Sequence, residues 1–132
     1  MMVKLAVFMA LCLIGQLAME AVAYTFKLWI YTSKKNFLIH MILAVMLVFG
    51  VLSYLVSGMH WYLRYPAGVI VGFLYEYGNA SGLDMFYFPD NKFLIFRSKA
   101  SVLVVISLMW GLYPLIVPIV YRYIAPLIMK AG

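Results

Sequence analysis

Four stretches of about 20 residues run almost without charge through this chain, long enough for a helix to span the roughly 30 Å hydrocarbon core of a bilayer. They cover residues 5–26, 37–59, 64–82 and 100–121. The first is interrupted only by Glu20 and the second holds only His40. The third begins at Arg64 and contains Glu76, and the fourth has no charge. The third is the shortest, because its apolar core covers 66–77 and then meets Gly78-Asn79-Ala80-Ser81-Gly82, which reads as a loop.

Composition points the same way. Apolar residues make up 67% of the chain and charged residues 11%, with a mean hydropathy of +1.03. A soluble domain places about a quarter of its residues as charges on its wet surface. The expected fold is therefore all-α: an integral membrane four-helix bundle in one domain over 1–132, multi-pass, with the lipid bilayer as its solvent. The first stretch also resembles a signal peptide, with Lys4 ahead of an apolar run and Ala21-Val22-Ala23 as a small-x-small site. Glu20, just before that site, reads better as part of a retained helix. The lone Cys12 excludes an internal disulfide and reads as a small packed side chain.

Charge at the span ends sets an expected topology. Lys27, Lys34, Lys35, Lys92, Arg97 and Lys99 fall on one side, and Lys4, Arg64, Arg122 and Lys130 on the other. The positive-inside bias then places both termini on the non-cytoplasmic side. The net charge of +6 suits anionic headgroups, and no nucleic-acid module is present. Trp29, Tyr31, Trp61, Tyr62, Tyr65, Tyr121 and Tyr123 sit at span ends, where such rings favour the interface.

Helix packing has two sequence signals. Gly68, Gly72, Glu76 and Ala80 recur every four residues, so the GxxxG of Gly68 and Gly72 forms a flat face for another helix and Glu76 shares that face. In the fourth span, Gly111, Pro114 and Pro118 predict a kink that frees carbonyls near Trp110 and Pro114. Before that span, LDMFYF, Pro89-Asp90-Asn91 and KFLIF predict a short apolar hairpin or interfacial loop over 83–96. Asn79-Ala80-Ser81 matches a glycosylation sequon, on the side and at the depth least suited to its use.

Ionisable side chains inside a membrane are costly and mark the place to look for function. Glu20 lies two turns before Lys27, roughly 10 Å along a helix, and Glu76 lies roughly 18 Å from Arg64. With alternating span directions both fall in one half of the bilayer, with His40 beside them. The candidate polar intramembrane site is therefore Glu20, His40, Glu76, Gln16 one turn from Glu20, and Asp84 in the adjacent loop. Two carboxylates and an imidazole could bind a divalent metal, relay protons, or act as acid and base on a lipid-soluble substrate. The plainer alternative pairs the carboxylates with Lys27, Lys34 or Lys35, or lets them reach headgroup water. His60 reads as an interfacial anchor.

No HExxH, CxxC, GxSxG or phosphate-binding glycine loop is present, so no catalytic residue or cofactor is assigned. Gly15 to Glu20 weakly echoes Gly72 to Glu76, as a duplicated helix pair would. The segment from Gly72 to Tyr87, with Glu76, Gly78 and Gly82, faintly resembles the glutamate-glycine segments of membrane-bound carotenoid-biosynthesis proteins, over too little of the chain to imply an activity. With little extramembrane mass, the expected role is a structural or accessory subunit of a membrane assembly, associating with other membrane subunits or with itself. The alternatives are a small transporter or proton-coupled channel using Glu20 and Glu76, and a membrane-embedded enzyme acting on an isoprenoid or other lipid.

Overall fold

The first apolar run holds no helix breaker beyond Gly15, and it forms one helix, α1 (Met2–Phe26). A computed structural model describes residues 2–89 and 99–131, with side chains at 2–89 and 103–128. Lys27 ends α1 by turning left-handed at φ 51°, and the Leu28 N–H closes onto the Ala23 carbonyl at 3.0 Å. That pairing satisfies a terminal carbonyl that would otherwise be orphaned.

A two-residue strand, β1 (Ile30–Tyr31), leads to α2 (Lys34–Gly58). Ser33 caps α2, its hydroxyl accepting from the Asn36 N–H at 3.0 Å. From His40 to Gly50 the helix widens to π-type hydrogen bonding. The buried residues there are His40 and Met41, Ala44 and Val45, then Phe49 and Gly50. A burial repeat of four to five residues matches an i→i+5 helix better than a 3.6-residue one. Helix α3 (Trp61–Gly78) follows, then a wide turn at Asn79–Leu83 and a second strand, β2 (Phe86–Tyr87). The last helix, α4, is built of Lys99–Trp110 and Leu112–Ala131, meeting at Gly111. Pro114 lacks an N–H for the Trp110 carbonyl and its ring crowds that carbonyl, which places the interruption one residue beyond Trp110.

Among the described residues the fold is thus mostly helical with four helices, and three stretches there are long and apolar enough to cross a membrane: Met2–Phe26, Lys34–Gly58 and Leu103–Ile128. Helix α3 is not among the three, because Arg64, Pro66 and Glu76 dilute its apolar centre. The outer faces are largely apolar: Ile14, Leu17 and Val22 of α1 and Leu108, Leu112 and Ile116 of α4 are all exposed. A surface of that kind fits hydrocarbon better than water.

The strands β1 and β2 pair antiparallel, Ile30 opposite Tyr87 and Tyr31 opposite Phe86, so the loop after α1 is stitched to the loop after α3. Residues 90–96 of the expected hairpin lie outside the described residues; its first strand pairs with β1. Asn79 holds the turn, its Oδ1 accepting from the Met85 N–H at 2.8 Å and its Nδ2 donating to the Phe86 carbonyl at 3.2 Å. It is buried and committed to the loop, so the sequon has no free side chain for a glycan.

Helix α3 meets α4 along its glycines. A Cβ on Gly68 would lie 2.8 Å from the Gly111 Cα and from the Pro114 ring, and a Cβ on Gly72 would overlap the Trp110 side chain. The pair closes backbone to backbone and sets where Trp110 sits. Replacing Gly72 by Leu is expected to cost about 1–3 kcal/mol through overpacking, read as a lower melting temperature in detergent, whereas Gly58→Ala, with nothing within 4 Å, leaves it unchanged.

Candidate polar site at the end of an apolar cavity

Buried residues on α1 recur every four positions, Phe8, Cys12 and Gln16, and Glu20 is the next step along that face. A carboxylate there is directed into the bundle and has to be satisfied by the protein. Three donors converge on it. Gln16 Nε2 donates to Oε1 at 2.7 Å, the Tyr31 hydroxyl donates to the same oxygen at 2.6 Å, and the Trp29 indole donates to Oε2 at 3.0 Å. Trp29 and Tyr31 reach it because the left-handed turn at Lys27 folds the chain back along α1. Burial first, and then the bond to Glu20, hold the Tyr31 phenol well above its ordinary pKa, so it remains a donor.

Gln16 carries the network to α4. Its Oε1 accepts from the Tyr113 hydroxyl at 2.6 Å while its amide donates to Glu20, which fixes the orientation of the amide. Glu76, near the end of α3, is 3% exposed and accepts from the Trp110 indole at 2.7 Å. The glycine contact between α3 and α4 brings these two groups into reach.

His40 lies between the two carboxylate sites in a cage of rings, with Tyr31, Tyr75 and Phe86 each at 5.5 Å and Trp110 at 5.8 Å between centroids. Its Nδ1 is hydrogen-bonded to the Tyr75 hydroxyl. Its Nε2 is 3.9 Å from Glu20 Oε1, beyond hydrogen-bond range, and is buried with no hydrogen-bond partner among the described residues.

The site opens into a cavity of about 370 Å³ between α1 and α4. Ile14, Met109, Ile116 and Val120 lie along its apolar length, while Gln16, Trp29, Tyr31, His40 and Glu76 close one end. A small number of polar groups at the end of an apolar slot is the usual form of a site for a small apolar molecule.

Of the five site residues expected from sequence, the structure brings Gln16, Glu20, His40 and Glu76 to this end of the bundle. It leaves out Asp84, which sits exposed in the loop in a left-handed conformation, φ 49°, with its carbonyl accepting from the Thr32 hydroxyl at 2.8 Å. The turn at Asn79 directs Asp84 away. Among the described residues neither carboxylate pairs with a lysine; their partners are indoles, a phenol and an amide. No group of three His, Cys, Asp or Glu among the described residues has a metal-holding arrangement.

Trp29 and Tyr31 were read from sequence as interfacial anchors, and they serve as donors to Glu20. Tyr75, Trp110 and Tyr113 were not foreseen. For Trp110 and Tyr113 the one sequence signal is a Trp and a Tyr, each needing a polar partner, inside a span that carries no charge of its own; Tyr75 carries none beyond its place next to Glu76.

The two carboxylates are expected to respond differently to amide replacement. Glu20→Gln sets an amide N–H against one of three donors and should lower stability by about 1–3 kcal/mol. Glu76→Gln keeps an oxygen for the Trp110 indole and should change it little. Thermal unfolding in detergent reads the difference, and equal losses would count against this assignment of partners. No family model, curated protein or solved structure matches the chain, so function is argued from this geometry alone.

Proposed function

We propose that the protein is a four-span membrane protein that binds a lipid-soluble molecule between α1 and α4, with the polar end of that molecule at His40, Glu20 and Gln16. One observation carries this: an apolar cavity of about 370 Å³ is lined at its polar end by His40, whose Nε2 is buried and has no hydrogen-bond partner among the described residues. Structural ion pairs would leave no such opening.

The mouth of the cavity lies between exposed apolar residues of α1 and α4, Ile14 at 62% and Ile116 at 46% exposure, which favours entry from surrounding hydrocarbon over entry from water. Binding is the common requirement of a carrier and of an acid–base enzyme acting on a lipid. The Glu20, His40 and Tyr75 groups provide a base, an imidazole and a phenol for the second. An accessory subunit is the second proposal, resting on the small extramembrane mass. Both place α3 as the fourth span and both termini on the non-cytoplasmic side.

The test is co-purification. Organic extracts of protein isolated in a mild detergent are expected to contain a lipid in near-stoichiometric amount by mass spectrometry. Ile116→Trp, which fills the half-exposed mouth, should lower that amount at least severalfold while the protein stays folded. An unchanged lipid content in Ile116→Trp, with a larger membrane complex co-isolated, would favour the subunit proposal.

A further inference from the structure

We infer that the molecule bound at this site carries an uncharged oxygen head, a hydroxyl or a carbonyl, that accepts a hydrogen bond from His40 Nε2, and that anionic heads such as phosphates are rejected. This rests on the lipid-site proposal and names the ligand chemistry.

The tautomer of His40 comes first. The Tyr75 hydroxyl contacts His40 Nδ1 and also lies 3.8 Å from the Met85 sulfur. An imidazole nitrogen is a far better acceptor than a thioether, so the phenol donates to Nδ1 and the ring proton sits on Nε2. That N–H is buried and has no acceptor among the described residues, and His40 is one of the residues that line the cavity. A buried donor without an acceptor is a standing cost that a ligand oxygen would relieve.

Charge decides the class of oxygen. No Lys or Arg is among the described residues that line the cavity, and Glu76 lies in its wall. Glu20 stands 3.9 Å from the donor itself. A phosphate or carboxylate head would be desolvated beside two carboxyl groups with no counter-charge, which is the costly case. A neutral oxygen meets no such penalty. A hydroxyl and a carbonyl can both accept from His40, and a hydroxyl alone could also donate a hydrogen bond. Around the head, Trp29, Tyr31, Phe86 and Trp110 supply ring faces and edges that suit unsaturated carbon.

Four probes with the same isoprenoid chain separate the possibilities: farnesol, farnesylacetone, farnesene and farnesyl diphosphate. Each is titrated against the full chain in detergent micelles. Binding is read from the fluorescence of Trp29 and Trp110, both at the site, and from thermal stabilisation. Farnesol and farnesylacetone are expected to bind about tenfold more tightly than farnesene, the size of one buried hydrogen bond, and farnesyl diphosphate more weakly than farnesol. His40→Leu should erase the advantage of the oxygenated probes over farnesene, and His40→Gln, which keeps an amide donor, should restore part of it.

Farnesene binding as tightly as farnesol in the unaltered protein, or farnesyl diphosphate binding more tightly than either, overturns the inference while leaving a lipid site standing. Loss of farnesylacetone alone overturns the Nε2–H assignment. Binding of none of the four overturns the lipid site as well. The comparison among probes in the unaltered protein holds even if a His40 variant fails to fold.

Discussion

A carboxylate on the inward face of an apolar helix must find its hydrogen-bond donors inside the protein, and the way Glu20 does so organises much of this fold. Its three donors come from three places in the chain: Gln16 one turn earlier on α1, Trp29 in the reversal after α1, and Tyr31 in β1. Satisfying that one group therefore returns the chain along α1 and positions β1. Strand β1 in turn holds β2, and the Asn79 turn beside it. Through Gln16 the same network reaches Tyr113 and so α4. Buried polar groups of this kind are high-stakes elements: fully connected they specify one arrangement, and a missing partner is costly.

The second constraint is steric. Without a strong hydrophobic drive between helices in lipid, close backbone approach does the work, and α3 achieves it through Gly68 and Gly72 against Gly111, Pro114 and Trp110. The interruption of α4 at Gly111 and the flat face of α3 are complementary. Together they hold the Trp110 indole where it can donate to Glu76. Trp110 also stacks on Phe49 of α2 at 4.2 Å between centroids, so the same side chain ties three helices at the level of the site.

Against this well-satisfied background His40 Nε2 is the exception. The surrounding donors and acceptors are paired within 2.5–3.0 Å, while this buried nitrogen has no partner among the described residues. It stands at the start of the π-helical stretch of α2, a widened geometry that recurs at functional sites in helices. An unsatisfied buried donor on a residue that lines an apolar slot is what separates a binding site from a structural polar cluster, and it is the physical basis of the functional proposal.

The helical segments were legible in the sequence because length and lack of charge are one-dimensional properties; 5–26 and 37–59 were found to within a few residues, and α4 runs on to Ala131 past the expected end near 121. The four-residue spacings of Gln16 with Glu20 and of Gly68 with Gly72 and Glu76 were legible for the same reason, since a helix converts spacing directly into a shared face. The π stretch was not, because Met41 to Gly50 is apolar all round and carries no polar residue to mark its period. Nor was the identity of the donors. Trp29 and Tyr31 sit at a span end like any interfacial aromatic, and only the reversal at Lys27 and the pairing of β1 with β2 direct them to Glu20 rather than to headgroups. Asp84 shows the converse, adjacent in sequence to the site and turned away by the loop held on Asn79. The sequence by itself determined which residues had to be shielded from hydrocarbon or satisfied within it. Which partner each received, and which nitrogen was left open, depended on contacts between distant segments that only the tertiary structure brings together.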